Sequence, residues 1–409
     1  MTTRAHTLLF FVFAIVSIPQ LRGQVNPSDW EVLAFSSENL ITGEIAARSI
    51  DADPESQWHT RWHDTRGSAA AEPPHSITVD MKRSHIVTAL RYRARAHGEG
   101  GLPLEYVLEL SSDGTRWDVA KKGAFEFRSR MSPHAVISLE QPAEARLFRL
   151  TILSLSDSGQ AKEPGLVVGE LEIASVDVPL MPTTLIPVRQ SREWNYGGYD
   201  WAERHRALKA FNSNTHPQLV FLGDSITHRW GAEPTDVTPQ TGTTVWKKYY
   251  GRRNAVSLGY GWDRVENMLW RIQNGELEDT DPKLVVVMAG TNNFEVNTPE
   301  EIALGVARLC EEIHLRKPRT SILLLAIFPR GRQGTFPELE EANRLLSHLG
   351  QRSYIAFKDI SSAFLEEDSQ LSEKVMPDLL HPSEDGYYRW ARAIEADVSR
   401  VLNDTPISE

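Results

Sequence analysis

Two hydrophobic rhythms divide the chain. From about Asn26 to Ala174 apolar residues recur at every second position. Ile77, Val79 and Met81 alternate with polar neighbours, as do Leu104, Tyr106, Leu108 and Leu110. Phe148, Leu150 and Ile152 alternate with Arg149 and Thr151. A period of two belongs to strands with one buried face. Turn formers such as Ser112-Asp113-Gly114 separate these runs. The pattern predicts an all-β sandwich of the jelly-roll kind over residues 26–175.

The rhythm changes after Val176–Pro187, where three prolines and no helical stripe predict an extended linker over 176–194. Trp201–Asn212 then reads as a helix, and Leu219–Leu222 as a buried strand. Further apolar runs at Ala255–Leu258, Leu284–Ala289, Ile322–Ile327 and Tyr354–Phe357 predict strands. Between them lie helical stripes: Val265, Met268, Leu269 and Ile272, then Glu338–Leu349, and finally Tyr387, Ala391, Ile394, Val398 and Val401. Thr298-Pro299-Glu300-Glu301 is a capping box with proline at the first helical position. Strand–helix repetition predicts a doubly wound α/β domain over 195–402, its parallel sheet covered on both faces.

Composition adds little to the fold and more to the setting. A length of 409 residues suits two domains. The net charge of −11 argues against binding nucleic acid or an anionic membrane by bulk electrostatics. Eleven tryptophans are enough to line sugar pockets as well as cores. Arg4 followed by the apolar run Leu8–Ile18 has the form of a signal peptide, with cleavage after Gly23. It predicts a secreted or periplasmic protein with no stable membrane insertion after cleavage. Cys310 is the one cysteine, so no intrachain disulfide forms. It lies in a helical stripe with Ile302, Val306, Leu309 and Ile313, which predicts packing and not nucleophilic chemistry.

Candidate chemistry collects at the ends of the predicted parallel strands. Gly223-Asp224-Ser225 follows the first, Gly259-Tyr260-Gly261-Trp262-Asp263 the second, and Gly290-Thr291-Asn292-Asn293 the third. Asp378-Leu379-Leu380-His381 precedes the last helix. Ser225 stands where nucleophiles of α/β hydrolases stand, although Ile226 and Thr227 exclude a Gly-x-Ser-x-Gly elbow. Its hydroxyl needs a base, and His381 has an unperturbed pKa of ~6.5 suited to that role. Asp378, three residues earlier, can fix the imidazole tautomer. Each motif alone is an ordinary loop string; their coincidence at strand ends points to a catalytic site. The other histidines lack ligand spacing, so metal-independent chemistry with no catalytic cofactor is expected.

Together the four blocks resemble the GDSL, or SGNH, hydrolase family over about residues 195–402. The branch is similar to the platelet-activating-factor acetylhydrolase catalytic subunits, the likeness extending through Asp263–Leu277 and Phe328-Pro329-Arg330-Gly331. The resemblance implies a serine esterase acting on short acyl, chiefly acetyl, groups. It implies an oxyanion hole formed by the Ser225 N–H, a second-block N–H and the Asn292 side-chain amide. The position before Asp263 is commonly glycine in that family and is Trp262 here; its backbone donor survives, and its indole can wall the acyl pocket as a substrate-binding group. Asn293 reads as a structural neighbour and Asp224 as a turn former.

The first half has its own resemblance. Ala47–Asp53, Trp58, Trp62, Ile77–Asp80, Ser111–Trp117 and Gly169–Ile173 are similar in order to the discoidin, or coagulation factor 5/8 C-type, domain. That resemblance, over about residues 30–175, implies a binding fold whose bacterial members take carbohydrate and a structural calcium. Asp51, Asp53 and Glu170 are the hard oxygen donors expected at calcium. Trp58 is expected in the core, Trp62 either there or in a ligand platform, and His59 and His63 suggest no metal cluster. The combined expectation is an exported esterase with an acylated small-molecule or polysaccharide substrate and a glycan ligand on the sandwich. A lipid-directed acetylhydrolase or lysophospholipase, and an inactive binding or adhesion protein, are the alternatives.

Overall fold

The computed structural model describes residues 29–53, 55–61, 70–94, 101–127, 134–156, 165–190, 199–366 and 370–408. Arg4, Leu8–Ile18, Trp62 and His63 lie outside the described residues. Among those described, no helix is long and apolar enough to cross a membrane.

The first half is an antiparallel β domain. Its strands are β1 (Glu31–Phe35), β2 (Trp58–His59), β3 (His75–Arg93), β4 (Pro103–Ser111), β5 (Asp118–Ala124), β6 (His134–Leu155), β7 (Val167–Val168) and β8 (Glu170–Ser175). The main sheet runs β1-β3-β6-β4-β5, with β8 also on β3, and β2 pairs with β7. The register of β3 breaks between Asp80 and His85, and Lys82 there has φ 64°. Before the break β3 pairs with β1, and after it with β8. One long strand thereby serves two edges and bends the sheet around its own core, as bulges do. Ile77, Val79, Met81, Leu108, Leu110, Phe148, Leu150 and Ile152 fill that core with Trp58, as the alternation predicts. Leu104 does not join them. Irregularities on both sides of Glu105 shift the β4–β6 register and leave Leu104 exposed.

The expected extended linker is docked. Thr183–Leu185 forms a 3-10 turn. The buried Thr184 donates its hydroxyl to the Glu301 carbonyl at 2.6 Å. A Cβ on Gly305 would lie 2.5 Å from the Thr184 side chain, so the glycine makes this approach possible. Further on, Val188 accepts a hydrogen bond from Asn267 Nδ2 at 3.0 Å. Proline spacing reads as extension, but it carries no information about the surface on which the segment lies.

The second half has strands β9 (Leu219–Gly223), β10 (Ala255–Gly259), β11 (Leu284–Met288), β12 (Ser321–Leu325) and β13 (Ile355–Lys358). They form one parallel sheet in the order β10-β9-β11-β12-β13. Its helices are α1 (Trp201–Thr215), α2 (Ser225–His228), α3 (Thr243–Tyr249), α4 (Val265–Gln273), α5 (Pro299–Arg316), α6 (Pro337–Ser347) and α7 (Glu384–Leu402). Val220, Leu222, Val285 and Val287 face one core; Leu219, Phe221, Leu284 and Val286 face the other. Both faces are buried, which explains the unbroken apolar runs. The capping box opens α5: Thr298 Oγ1 accepts from the Glu301 N–H, and Glu301 accepts from the Thr298 N–H. Cys310 is fully buried on α5, and burial pushes its thiol up to about 12. Strand order reverses direction at β9, with β10 on one side and β11 on the other. A crevice at the carboxyl ends of such strands is where doubly wound sheets hold ligands.

Candidate active site

Close packing of backbone delivers the serine. A Cβ on Gly223, the last residue of β9, would lie 2.1 Å from Thr227 Oγ1 and 2.8 Å from the Met288 carbonyl oxygen. One on Gly259, at the end of β10, would lie 2.1 Å from the His228 nitrogen. Two bare strand ends therefore let α2 sit directly on the sheet. Asp224 caps it, accepting the Ile226 N–H at 2.8 Å. Burial pushes the Asp224 carboxyl up to about 7, against the pull of that hydrogen bond. Ser225 is the first residue of α2, so its N–H has no carbonyl four residues back inside the helix.

Ser225 Oγ lies 2.8 Å from His381 Nε2, and His381 Nδ1 lies 2.7 Å from Asp378 Oδ2. Asp378 Oδ1 accepts the backbone N–H groups of His381 at 2.7 Å and Leu380 at 3.1 Å. A carboxylate can only accept. The proton of a neutral imidazole therefore sits on Nδ1, and Nε2 is the acceptor facing the serine. Burial lowers the His381 pKa below its ordinary value; nearby Arg229 lowers it too, and Asp378 opposes both. Burial raises Asp378, but its hydrogen bonds to His381 outweigh that and hold it low. Arg229 Nη1 stands 3.6 Å from Asp378 Oδ2. The arrangement can take a proton from Ser225 at neutral pH and return it to a leaving oxygen.

Beside the serine lies the second-block turn. Trp262 is half-buried and has φ 66°, the left-handed region that favours glycine. Neighbouring groups hold this turn on every side. The Gly261 N–H donates to His228 Nδ1 at 3.2 Å. Gln190 Nε2 donates to the Gly261 carbonyl at 3.0 Å and to Asp263 Oδ1 at 2.9 Å. Asp263 also accepts from Trp201 Nε1 at 2.7 Å and Arg271 Nε at 2.8 Å. Burial pushes the Asp263 carboxyl up to about 7, while Arg271 pulls it down; these donors favour the charged form. Arg271, itself fully buried, also pairs with Glu276 and lies 3.8 Å over the Tyr260 ring. Asn292, half-buried, uses one amide hydrogen on the Asp263 carbonyl at 3.0 Å. Asn293 is structural: its Oδ1 accepts the Val265 N–H and its Nδ2 donates to Glu266 and Asn297.

Comparison with known proteins assigns a family to each half. Residues 221–389 match the GDSL-like lipase/acylhydrolase family, and residues 34–164 match the F5/8 type C domain. The platelet-activating factor acetylhydrolase IB subunit alpha2 of Rattus norvegicus is 30% identical over 209 residues, covering 50% of this chain and 86% of that one. The alpha1 subunit of Bos taurus is 30% identical over 207 residues, covering 49% and 84%. The chain belongs to the GDSL-like lipase/acylhydrolase family. It is a carboxylic ester hydrolase with an F5/8 type C domain at its N-terminal side. Among solved structures, the family 32 carbohydrate-binding module from C. perfringens in complex with galactose matches at 18% identity and a TM-score of 0.31, covering 37% of this chain and 97% of that one.

In the F5/8 type C domain the three carboxylates expected at calcium do not form one group. Among the described residues no three His, Cys, Asp or Glu side chains gather as a metal-holding set. Asp53 is the misfit: its Oδ1 caps the Glu55 N–H at 2.9 Å. Asp51 instead receives the Ser56 hydroxyl at 2.8 Å, and that hydroxyl lies 3.0 Å from the Arg48 carbonyl. Both Glu170 carboxyl oxygens are buried, with Arg93 at 3.7 Å and the Ala52 backbone N–H beside them. Burial pushes Glu170 up to about 9; Arg93 opposes this, and Glu172 and then Asp51 add to it. The buried Glu170 carboxyl, which feels the charge of Asp51, and the Ser56 hydroxyl on Asp51 are oxygen donors of the kind a hard cation takes. Trp58 is buried in the core as expected, its Nε1 donating to the Ser37 carbonyl, and His59 is buried beside it.

Sequence reading missed several groups of this acylhydrolase site. Gln190 sits in what reads as a linker. His228 lies three residues after Ser225, between the polar Thr227 and Arg229, and nothing local singles it out. Arg330, within the Phe328–Gly331 motif, donates to the Thr291 carbonyl at 2.6 Å, next to Asn292.

Proposed function

We propose that the enzyme removes short acyl groups, chiefly acetyl, from a carbohydrate acceptor outside the cytoplasm, through an acyl-Ser225 intermediate. The observation that carries the reading is the continuous Ser225–His381–Asp378 hydrogen-bond chain. Ser225 Oγ attacks the ester carbonyl as His381 Nε2 takes its proton, and Asp378 steadies the resulting imidazolium. The negative oxygen is received by the Ser225 N–H, the Trp262 N–H and the second Asn292 amide hydrogen. The Gly261 N–H is not assigned this task, because it is bonded to His228. Collapse of the tetrahedral species breaks the ester C–O bond, and His381 returns the proton to the departing alcohol. Water then attacks the acyl-serine with His381 again as base, releasing the acid.

Acetyl is favoured because the relatives at 30% identity are named acetylhydrolases. A glycan acceptor is suggested by the F5/8 type C domain, read as the module that holds the polymer near the site. Export is suggested by Arg4 and Leu8–Ile18. A structural calcium would be held by Glu170, Asp51 and Ser56 and would supply charge compensation for the buried carboxylates. A lipid acceptor is the second reading, favoured by the platelet-activating factor in the relatives' names.

The test is acetate release from acetylated polysaccharides, acetylated lipids and an aryl acetate, with Ser225→Ala as control. Release from polysaccharide that the substitution removes, by about 10³-fold or more, is expected. Lipid-selective release would keep the mechanism and change the acceptor. No release from any ester would remove the esterase reading.

A further inference from the structure

We infer that Gln190, in the connector between the two domains, and His228, on α2, are positioning residues for the oxyanion-binding turn at Trp262. The inference rests on the esterase chemistry proposed at Ser225 and adds to it which groups keep that turn in place. Neither residue touches the reacting atoms.

A non-glycine residue in the left-handed region persists where its surroundings over-determine it. Trp262 has φ 66°, so the peptides on its two sides must be held. Gly261 is held at both its N–H and its carbonyl, the carbonyl belonging to the peptide that enters Trp262. Its N–H goes to His228 Nδ1 and its carbonyl accepts from Gln190 Nε2. On the other side the Asp263 N–H, in the peptide that leaves Trp262, donates to the Tyr260 carbonyl at 3.3 Å, and the Asp263 carbonyl accepts from Asn292. Gln190 bridges across Trp262, since the same Nε2 also reaches the Asp263 carboxylate. The amide cannot be turned over, because its oxygen would then face two acceptors.

His228 is in turn fixed from behind. Since Nδ1 accepts the Gly261 N–H, the ring proton is on Nε2 and is donated to Asp236 Oδ2 at 2.9 Å. Arg204 Nη1 reaches the same Asp236 oxygen at 3.0 Å, and Arg204 Nε holds the Gly259 carbonyl at 2.8 Å. The nucleophile helix, the end of β10 and the second-block turn are thereby tied into one unit. Burial pushes the His228 pKa down to about 4, so the ring stays neutral and Nδ1 stays an acceptor near neutral pH. Gln190 lies upstream of the residues matched by the hydrolase family, 221–389. The connector thus supplies a part of the site that the family's four blocks do not contain.

The test uses the full chain with an aryl acetate and an aryl trifluoromethyl ketone, which forms a tetrahedral oxyanion on the serine. Gln190→Leu is expected to lower kcat about 10-fold with KM unchanged. His228→Leu is expected to lower it about 100-fold. His228→Asn keeps an acceptor near the Nδ1 position and is expected to recover most of that loss. Ketone affinity should weaken in step with kcat/KM across the series, while melting temperature need not. Normal kcat in both leucine variants, or a loss confined to KM, would overturn the positioning role while Ser225→Ala still proves the esterase. An enzyme unaffected by Ser225→Ala would overturn the esterase reading and this inference with it. Gln190→Leu carries the test if the His228 variants fail to fold, since Gln190 is only half-buried.

Discussion

At the scale of single residues, the site is governed by which proton sits where. Asp378 and Ser225 between them fix the His381 tautomer. Burial and then Arg229 hold its pKa below the ordinary value. The acid limb of kcat/KM is therefore expected below about pH 6.5, with a slope of one proton. Arg229→Met removes the larger of the two arginine influences that lower it, Arg330 being the other, so the limb should move up in pH. A wild-type limb above the ordinary histidine value, or a downward shift in the variant, would contradict the assignment of His381 as base. The same displacement has a stability consequence. Below about pH 6.5 the unfolded chain takes a proton at this position more readily than the fold does, so acid weakens the fold. Ser225, Asp378 and His381 were legible in the sequence through the ordered coincidence of their motifs, since each motif alone is an ordinary loop string. Gln190 and Asp236 were not. Their roles arise from contacts across 71 and 8 positions respectively, and neither residue belongs to a periodic pattern.

At the scale of elements, the second-block turn is the feature on which the fold and the chemistry meet. Sequence reading located it but could not give its backbone conformation. Tryptophan at a position commonly held by glycine signals either a different turn or a strained one. The φ of 66° answers for strain. Comparing Trp262→Gly with Trp262→Ala isolates that strain, since both remove the indole. The glycine variant is expected to be more stable by about 1 kcal/mol in denaturant unfolding, because only alanine keeps a Cβ in the left-handed region. Equal stabilities would mean that the turn relaxes when the indole is gone. Both variants should also raise the rate on longer acyl esters relative to acetate if the indole walls the acyl pocket. The strands were more legible than the turns. Buried faces on both sides of β9, β11 and β12 leave uninterrupted apolar runs. By contrast, the irregularity that turns Leu104 outward and the docking of Thr184 depend on partners distant in the chain.

At the scale of the whole molecule, both halves hold buried acids, most of them against arginine. In the hydrolase half Asp263 and Glu276 pair with Arg271 and Glu395 with Arg253, while Asp224 is held by the Ile226 N–H. In the F5/8 type C half Arg91 likewise pairs with Glu172, but the arginine beside Glu170, Arg93, stands 3.7 Å away, and burial pushes the Glu170 carboxyl up to about 9. A carboxyl with a raised folded pKa stabilises the fold fully below its unfolded value, about 4.5. That contribution is lost as pH rises toward 9. A bound calcium would reverse the trend, since it prefers the ionised carboxyl and displaces the proton. Millimolar calcium should therefore raise the melting temperature of this domain more at about pH 8.5 than at about pH 6. Glu170→Gln, which imitates the protonated carboxyl, should abolish both the calcium response and its pH dependence while leaving the calcium-free melting temperature at low pH nearly unchanged. If calcium shifts melting at neither pH, the buried Glu170 is a protonated core group and the sandwich stands without a metal. If the shift survives in Glu170→Gln, the cation is held elsewhere, and the assignment of Glu170, Asp51 and Ser56 fails.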